Sequence, residues 1–346
     1  MAATYPIVFP LSKPIHSEEE WYDLRGTNVS QFFLKHWFPT DQAQNVVKPK
    51  AAIIFVHGFA DYINRYDGNF SYMADHGYQV SGFDQFGFGR TWYESPDRRT
   101  THGWTTWPEQ INDITSMIKL VRVRLDKDWG AGSVPMYLMG HSMGGGLVTA
   151  FFTRDTAEGP AAEVKGMISG VMASAPWYDI HFPIPTWLAG PLLRGALWGL
   201  PRLHLALGPP SSNLSRDSEL CEALRKDPLS NCDVHVRCLL GPLTGGPRIV
   251  SDDYKRWPES LPFLICHGTG DKVTRWDSSK ALFDNMSAIG RHVTLRSFDG
   301  YYHEAMFDPG DAKFKFTQAF VDWLDDQLAR KARGEGQPTS TETLVE

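Results

Sequence analysis

The sequence lacks any run of about 18 apolar residues, the length that a helix needs to cross the hydrocarbon core of a membrane. Its 34 basic residues are outnumbered by 40 acidic ones, which gives a net charge of −6, and no block rich in lysine and arginine stands out. Nucleic acid is therefore not an expected partner. The first residues also lack the basic and apolar regions of a secretion signal. These absences predict a cytoplasmic protein that does not span a membrane.

Cysteine is scarce, with four residues in the chain: Cys221, Cys232, Cys238 and Cys266. Their spacing matches neither a zinc site nor a paired redox motif, so we expect no metal and no cofactor. Because three of them lie close together in the sequence, a disulfide stays open as an alternative. Free thiols are the preferred expectation, since the sequence carries no secretion signal.

Hydrophobic residues make up 42% of the chain and aromatic residues 13%, which is enough for a large core. Continuous apolar runs predict buried strands at 51–56, 78–83, 136–139, 166–174, 262–266 and 292–298. Helical spacing and stop signals predict helices over 66–76, 108–127, 277–289 and 311–329. Two further stretches, 20–25 and 30–37, predict an edge hairpin. The alternation indicates an α/β fold with a mostly parallel central sheet flanked by helices.

The alternation stops between residues 176 and 258, where proline, glycine, tryptophan and leucine are frequent. We interpret this segment as a helical cap, or lid, inserted into one α/β domain whose core is formed by residues 1–175 and 259–330. The last segment, 331–346, is polar, and we expect it to be a disordered tail.

One glycine-rich turn, Gly140-His141-Ser142-Met143-Gly144-Gly145, follows a predicted strand and precedes residues with helical spacing. Gly-x-Ser-x-Gly between a strand and a helix is the pattern of a nucleophile elbow. The glycines allow the strand and the helix to approach closely. The turn then exposes the Ser142 hydroxyl at a helix N-terminus, where free N–H groups stabilise developing negative charge. The alternative is an ordinary strand-to-helix turn, because so short a pattern also occurs by chance.

A serine nucleophile needs a base, and the base needs a carboxylate that orients it. In this fold both should follow later strands, with the acid before the histidine in the chain. Asp271 follows the strand at 262–266, and His303 follows the strand at 292–298, so we predict that these two complete a triad with Ser142. Asp277 and Asp299 are the rival acids.

The tetrahedral intermediate of ester hydrolysis needs two N–H donors. We predict that Met143, directly after the nucleophile, provides one of them. Phe59, in the loop after the strand at 51–56, should provide the other. His57 and His141 are interpreted as structural residues that support these two loops.

With these residues in place, the chain resembles the α/β-hydrolases, and more narrowly the monoacylglycerol lipase and serine hydrolase group. The likeness extends over most of the chain and is carried by residues 57–66, 84–91, 140–145, 267–271 and 302–304. The resemblance implies an α/β-hydrolase fold and hydrolysis of a monoacylglycerol to glycerol and a fatty acid. It also implies a mobile cap whose apolar outer helix docks on a membrane. Phe59 is reminiscent of the fungal relatives.

Some positions depart from that family pattern. The first motif usually carries glutamate and histidine where this chain has Asp61 and Tyr62. Relatives that hold glycerol with the loop near Arg65 also place a histidine three residues after the catalytic one, where this chain has Met306. The aspartate-rich turn ends in Thr91 instead of serine. The preference for glycerol therefore stays open, with Asp61 and Arg65 as candidate substrate-binding residues.

The predicted cap contains an apolar stretch that invites two interpretations. It could insert into a lipid surface at the level of the headgroups, or it could form the cap's own core; both can hold at once. Its members are Trp187, Leu188, Leu192, Leu193, Leu197, Trp198 and Leu200. We expect a lipid substrate, peripheral contact with membranes or lipid droplets, and a role for Leu192 and Leu193 in substrate binding.

The leading hypothesis is a monoacylglycerol hydrolase that forms an acyl-enzyme on Ser142. One alternative is a lysophospholipase or a general acyl ester or thioester hydrolase of the same fold. A remote alternative is a non-catalytic scaffold that binds lipid, which intact triad positions disfavour.

Overall fold

The computed structural model describes residues 9–27, 31–95, 101–154, 159–181, 186–200, 202–206, 208–336 and 340–345. The side chains of residues 186 and 187 also lie outside the description, and with them the expected role of Trp187. No helix within these ranges is long and apolar enough to cross a membrane.

Nine of the strands in the described part of the chain form one sheet, in the order β1-β2-β4-β3-β5-β6-β9-β10-β11. Their bounds are β1 His16–Tyr22, β2 Phe32–Phe38, β3 Ala51–Val56, β4 Tyr78–Phe83, β5 Met136–His141, β6 Ile168–Ser174, β9 Phe263–Gly268, β10 Val293–Phe298 and β11 Thr341–Val345. Strand β2 pairs antiparallel with β1 and β4, and the remaining neighbours are parallel. The predicted mostly parallel sheet is confirmed, including its antiparallel edge hairpin.

Helices cover both faces of this sheet. Their bounds are α1 Asp67–Asp75, α2 Gly89–Tyr93, α3 Trp107–Trp129, α4 Met143–Thr153, α5 Ala162–Gly166, α6 Thr186–Gly199, α7 Ser218–Lys226, α8 Arg237–Ser251, α9 Trp276–Ala288 and α10 Ala312–Arg333. Ala52 and Ile54 of β3 pack in a core with α3, α4, α8 and α9, whereas Ile53 and Phe55 pack in a core with α1 and α10. Because successive strand residues point to opposite faces, one continuous apolar run supplies both cores.

The carboxyl ends of four central strands lie at one edge of the sheet. Val56 at the end of β3 pairs with Gly140 near the end of β5. Phe298 at the end of β10 pairs with Gly268 at the end of β9. The loops that follow these strands therefore meet above the same edge, which is where parallel α/β sheets bind their ligands.

The segment 176–258 contains α6, α7, α8 and a small antiparallel pair formed by β7 His204–Ala206 and β8 Asp233–His235. Helix α6 packs against α8, where the Cβ of a residue replacing Gly190 would lie 2.6 Å from the Thr244 side chain. The role of this segment as a cap stays a prediction.

The expectation of a disordered tail over 331–346 is wrong where the structure describes it. Helix α10 continues to Arg333, and Thr341–Val345 adds β11 to the open edge of β10. Unpaired N–H and C=O groups at the edge of a sheet can pair with an extended segment, and alternating threonine, leucine and valine suit that role. Polar composition alone had concealed this pairing. The four cysteines are free thiols, as preferred.

Candidate active site

Ser142 is the single residue between β5 and α4, and its backbone is strained, with φ 53° and ψ −117°. A non-glycine residue rarely adopts positive φ, and such strain is typical of functional turns. Two backbone hydrogen bonds hold the turn: the Ser142 N–H donates to the Ser174 carbonyl at 2.9 Å, and the Trp177 N–H donates to the Ser142 carbonyl at 2.8 Å. These hydrogen bonds to neighbouring backbone groups therefore hold Ser142 in its strained conformation.

Two glycines make this turn possible. A Cβ on Gly144 would lie 2.1 Å from the carbonyl oxygen of Val56, and a Cβ on Gly140 would lie 2.3 Å from the carbonyl oxygen of Gly144. Both obstacles are backbone atoms, which cannot move without shifting β3 or α4. The structure thus accounts for glycine at both positions of the elbow pattern.

The three residues predicted as a triad form a continuous hydrogen-bonded chain. The Ser142 hydroxyl lies 3.0 Å from Nε2 of His303. The other ring nitrogen of His303, Nδ1, lies 2.8 Å from Oδ2 of Asp271. Neither rival acid contacts His303: Asp277 lies in the first turn of α9 beside Arg275, and Asp299 accepts a hydrogen bond from the Thr269 hydroxyl.

Asp271 is held by four further donors. Its Oδ1 accepts the backbone N–H groups of Val273 and Thr274, at 2.7 and 3.0 Å. Its Oδ2 accepts the Thr274 hydroxyl at 2.8 Å and Nε2 of His267 at 3.1 Å, while Nδ1 of His267 contacts the Ser279 hydroxyl at 2.8 Å. The carboxylate is thereby fixed with one oxygen aimed at His303.

Charge and burial have opposite effects on the pKa values of Asp271 and His303. Burial alone would raise the pKa of Asp271, but the charge of His303 and hydrogen bonds from His303 and His267 bring it well below its usual value. Burial would lower the pKa of His303, but the charge and hydrogen bond of Asp271 raise it above its usual value. The carboxylate thus stays ionised and stabilises the protonated histidine, as acid–base catalysis requires.

The loop after β3 lies next to the elbow: a Cβ on Gly58, directly before Phe59, would lie 3.2 Å from the Cβ of Ser142. Neither the Phe59 nor the Met143 amide N–H has a hydrogen-bond partner among the residues that the structure describes. His57 supports this loop: its Nδ1 donates to the Gly58 carbonyl at 2.8 Å, and its Nε2 accepts the Gln85 N–H at 2.8 Å. Burial lowers the pKa of His57, which favours its neutral form.

A buried ion-pair network joins the loop after β3 to the histidine loop. Arg65 donates to Asp61 at 2.6 Å and to Glu304, the neighbour of His303, at 2.9 Å. Asp61 also accepts the Gly58 N–H at 3.2 Å, so it shapes the turn that carries Phe59. Burial alone would raise the pKa of Asp61, but the charge of Arg65, the nearby histidines and the hydrogen bond from Tyr66 together lower it to about 2.

Three of the departures from the family pattern have local explanations. The Tyr62 hydroxyl donates to Asp227 at 2.5 Å and so ties the loop after β3 to the segment 176–258. The Thr91 hydroxyl donates to the Asp84 carbonyl at 2.7 Å and accepts a backbone N–H at 2.9 Å, which serine could also do. Met306 is buried in the core and does not reach the cavity.

His141, expected to be structural, lies beside the triad. Its ring centre is 5.0 Å from that of His303, and its Nδ1 contacts the Ser174 hydroxyl at 3.1 Å. Burial, helped by the nearby His303, lowers the pKa of His141 to about 3, so it is neutral. Its Nε2 is buried without a hydrogen-bond partner, 3.9 Å from Glu304.

A cavity of about 750 Å³ opens over Ser142. Its lining combines apolar side chains such as Trp177 with charged ones, among them Asp61, Arg65 and Glu304. The segment 176–258 contributes both kinds, for example Leu224 and Arg225. A wall that is apolar in part and charged in part suits an amphiphilic ligand. Within the described ranges, no cluster of three or more metal-ligating side chains occurs.

The expectation that Leu192 and Leu193 bind substrate is not met, because neither side chain lies in the cavity wall. Both lie on α6, which packs against α8. Leu193 and Leu197 turn towards the core, whereas Leu192 and Trp198 are 54% and 92% exposed. One side of the helix therefore packs as part of the cap's core, whereas insertion of the exposed side into a lipid surface stays a prediction.

Sequence reasoning missed three residues that hold the site together: His267, Thr274 and Glu304. Each lies within four residues of a predicted triad member, so proximity in the chain was an available signal. Their side-chain directions, however, depend on how the loops after β9 and β10 turn, which sequence spacing does not fix.

Comparison with known proteins gives a consistent result. The family model Hydrolase_4, described as serine aminopeptidase, S33, matches residues 47–310. A Schizosaccharomyces pombe protein, itself named only provisionally as a monoglyceride lipase, is 28% identical over 86% of this chain and 71% of its own length. The monoglyceride lipase of Saccharomyces cerevisiae is 23% identical over 96% of this chain and 99% of its own length.

Among solved structures, a soluble variant of the Saccharomyces cerevisiae monoglyceride lipase bound to a substrate analog superimposes with a TM-score of 0.72. It is 21% identical and covers 93% of this chain and 99% of its own. A monoacylglycerol lipase from Paleococcus ferrophilus gives a TM-score of 0.67 at 23% identity, over 86% of this chain and 99% of its own. At these identities the likeness establishes the α/β-hydrolase fold.

Proposed function

The chain belongs to the Hydrolase_4 family of α/β-hydrolases, and from that premise we propose that it hydrolyses monoacylglycerols to a fatty acid and glycerol. The observation that carries the proposal is the hydrogen-bonded chain from Ser142 through His303 to Asp271. The names of two full-length relatives support the choice of substrate. The enzyme is thus a carboxylic ester hydrolase.

In the proposed reaction, Ser142 Oγ attacks the ester carbonyl while Nε2 of His303 takes its proton. The N–H groups of Phe59 and Met143 stabilise the negative charge on the tetrahedral intermediate. When the carbon–oxygen bond to glycerol breaks, His303 returns the proton to the leaving alkoxide. Water then repeats the sequence on the acyl-enzyme and releases the fatty acid. Asp271 keeps His303 in the tautomer that can accept the proton.

We further propose that Arg65 and Asp61 form the end of the cavity that receives the glycerol group. Both line the cavity beside Ser142, and each is already held by other side chains. Polar groups that neighbouring side chains hold in place beside Ser142 would orient the alcohol part of the ester. The acyl chain would then extend along Trp177.

Helix α6 is proposed as the surface that contacts a membrane or a lipid droplet. Leu188, Leu192 and Trp198 are exposed on it, and Leu200, also exposed, follows directly after it. Large apolar side chains that are otherwise costly to expose can insert at the headgroup level of a lipid surface. The protein would then collect its substrate as a peripheral, cytoplasmic enzyme.

A fluorophosphonate probe tests the catalytic assignment. The wild-type protein should react at Ser142, and Ser142→Ala should not. Ser251→Ala, which removes an exposed hydroxyl at the end of α8, is the matched control and should react normally. Labelling that persists in Ser142→Ala would refute the assignment.

The substrate is tested by comparing turnover of a monoacylglycerol and a lysophospholipid with the same acyl chain. Faster hydrolysis of the monoacylglycerol is expected, and the reverse order would favour the lysophospholipase alternative. Leu192→Asp should reduce activity on dispersed lipid more than on a soluble short-chain ester. Val123→Asp, at a 65% exposed position of α3, is its control. Equal losses on both substrates would refute the interface role of α6.

A further inference from the structure

A second cavity, separate from the one over Ser142, lies where α6 meets the body of the protein. Its volume is about 290 Å³, and it is enclosed by the start of α3, the end of α4, and helices α6 and α8. Three arginines from three different elements face it: Arg154 after α4, Arg194 on α6 and Arg237 on α8. Apolar residues, including Trp107 and Leu240, form the rest of the wall.

Two of the three arginines already have partners. Arg237 pairs with Glu109 at 3.1 Å. Arg154 also has an interaction partner, and its guanidinium lies 5.4 Å from the ring centre of Trp107. Arg194 makes no hydrogen bond or ion pair with any residue that the structure describes. Guanidinium groups that share a cavity repel one another, and this repulsion is relieved when an anion occupies the space.

The helix beside the cavity also favours an anion at this position. The cavity faces the first turn of α3, a helix of 23 residues whose N-terminal end carries partial positive charge. Glu109 in that turn and the Thr106 cap offset part of this charge, so the helix end adds to the effect of the arginines and forms no site by itself.

The position of Arg194 on α6 connects the cavity to the exposed surface of that helix. Gly190, Arg194 and Trp198 follow one another at intervals of four residues and therefore lie along one row of the helix. Gly190 contacts Thr244 on α8, Arg194 faces the cavity, and Trp198 is 92% exposed. The cavity thus lies directly beside the apolar surface of Leu192 and Trp198.

We propose that this cavity binds the phosphate group of a phospholipid in the surface on which α6 rests. The inference builds on the lipid contact proposed above and adds a specific recognition site to it. Arginine forks match phosphate oxygens in pairs, and the uncompensated charge of Arg194 favours phospholipids that carry a net negative charge. A headgroup at this position would hold α6 against the surface while the acyl substrate enters the other cavity.

Vesicle sedimentation tests the proposal with phosphatidylcholine vesicles and with vesicles that also contain phosphatidylglycerol. The wild-type protein should bind the second kind more tightly. Arg194→Gln should bind phosphatidylglycerol vesicles about fivefold more weakly and phosphatidylcholine vesicles unchanged. Arg333→Gln, which removes the same charge from the exposed end of α10, is the matched control. Equal binding by Arg194→Gln and wild type would overturn the proposal.

Two further measurements keep the outcomes distinct. The melting temperature of the wild type is measured with inorganic phosphate and with chloride at matched ionic strength. If phosphate raises it while Arg194→Gln leaves vesicle binding unchanged, the site binds free phosphate and the phospholipid assignment is overturned. Arg194→Lys keeps the charge but loses the paired donors of the guanidinium, so it should recover part of the vesicle binding that Arg194→Gln loses. No recovery in a protein with normal melting would contradict the proposal. All binding is repeated in a Ser142→Ala background, so failure of the proposed hydrolysis leaves this test intact.

Discussion

Replacing Asp271 by asparagine tests the proposed site most directly, because the structure dictates how the new amide must sit. The backbone N–H groups of Val273 and Thr274 both donate to Oδ1, at 2.7 and 3.0 Å, so the carbonyl oxygen of the asparagine has to occupy that position. Its NH₂ group then takes the place of Oδ2 and faces Nδ1 of His303. Since the amide donates, Nδ1 becomes the acceptor and the proton moves to Nε2.

A proton on Nε2 blocks catalysis, because that nitrogen must accept the proton of Ser142. We expect kcat to fall by about 10³- to 10⁴-fold, the loss typical of a triad whose histidine is held in the wrong tautomer. This corresponds to about 4–5.5 kcal/mol of transition-state stabilisation. Since the ground-state contacts of the substrate lie elsewhere in the cavity, KM should change little.

Steady-state hydrolysis of a soluble ester by Asp271→Asn measures this effect, and thermal unfolding shows that the variant is folded. The rival acids provide matched controls: Asp277→Asn and Asp299→Asn remove exposed carboxylates that do not touch His303. Both should retain activity within about twofold, as surface substitutions usually do. Activity of Asp271→Asn within tenfold of the wild type would refute the tautomer argument. A loss of activity confined to Asp299→Asn would assign the role of the acid to Asp299.

Three other predictions follow from single contacts. The carboxylate partner of His303 raises the pKa of that histidine, so kcat/KM should fall on the acid side with a midpoint above the usual histidine value of 6.5. The same shift adds folding stability below pH 6.5, and this stability is lost as the pH rises through the raised pKa. An activity midpoint below 6.5 would contradict the ion pair. Gly144→Ala should destabilise the protein by about 3 kcal/mol or more in urea unfolding, because its Cβ would lie 2.1 Å from a backbone oxygen, whereas Gly166→Ala has free space and should cost little. Tyr62→Phe should lower stability by about 1–3 kcal/mol, since the buried carboxylate of Asp227 loses a donor at 2.5 Å; an unchanged midpoint of unfolding would mean that this contact is unimportant.

The central strands of the sheet were predictable because they are buried on both faces. A run such as Ala51–Val56 has no polar residue, so its limits are visible in the sequence, and the prediction agrees with the structure residue for residue. Helix ends were less well predicted: the last helix was expected to end near residue 329 but continues to Arg333. Exposed final turns are stabilised by local charge and capping, which leave a weaker pattern than core packing.

The candidate site was predictable as far as topology determines it. Parallel strands end at one edge, so the loops holding Ser142, Asp271 and His303 had to converge. Which side of α6 faces the protein could not be predicted, because the leucines of this helix are spaced around it and no polar stripe marks an outer side. In the structure Gly190 packs against Thr244, Leu193 turns inward and Leu192 is exposed, an orientation that depends on tertiary packing.

The network around Arg65 suggests why the loops of the site act together. Asp61 is bound to the turn that carries Phe59, and Glu304 is covalently next to His303, while Arg65 bridges the two carboxylates. Breaking one side of a buried ion pair leaves the other charge uncompensated, so neither loop can shift without cost to the other. The loop of the predicted oxyanion donor Phe59 and the loop of the predicted general base His303 are therefore coupled through one guanidinium. A glycerol hydroxyl that contacts Arg65 would reach both of them, which links recognition of the leaving group to the geometry of its cleavage.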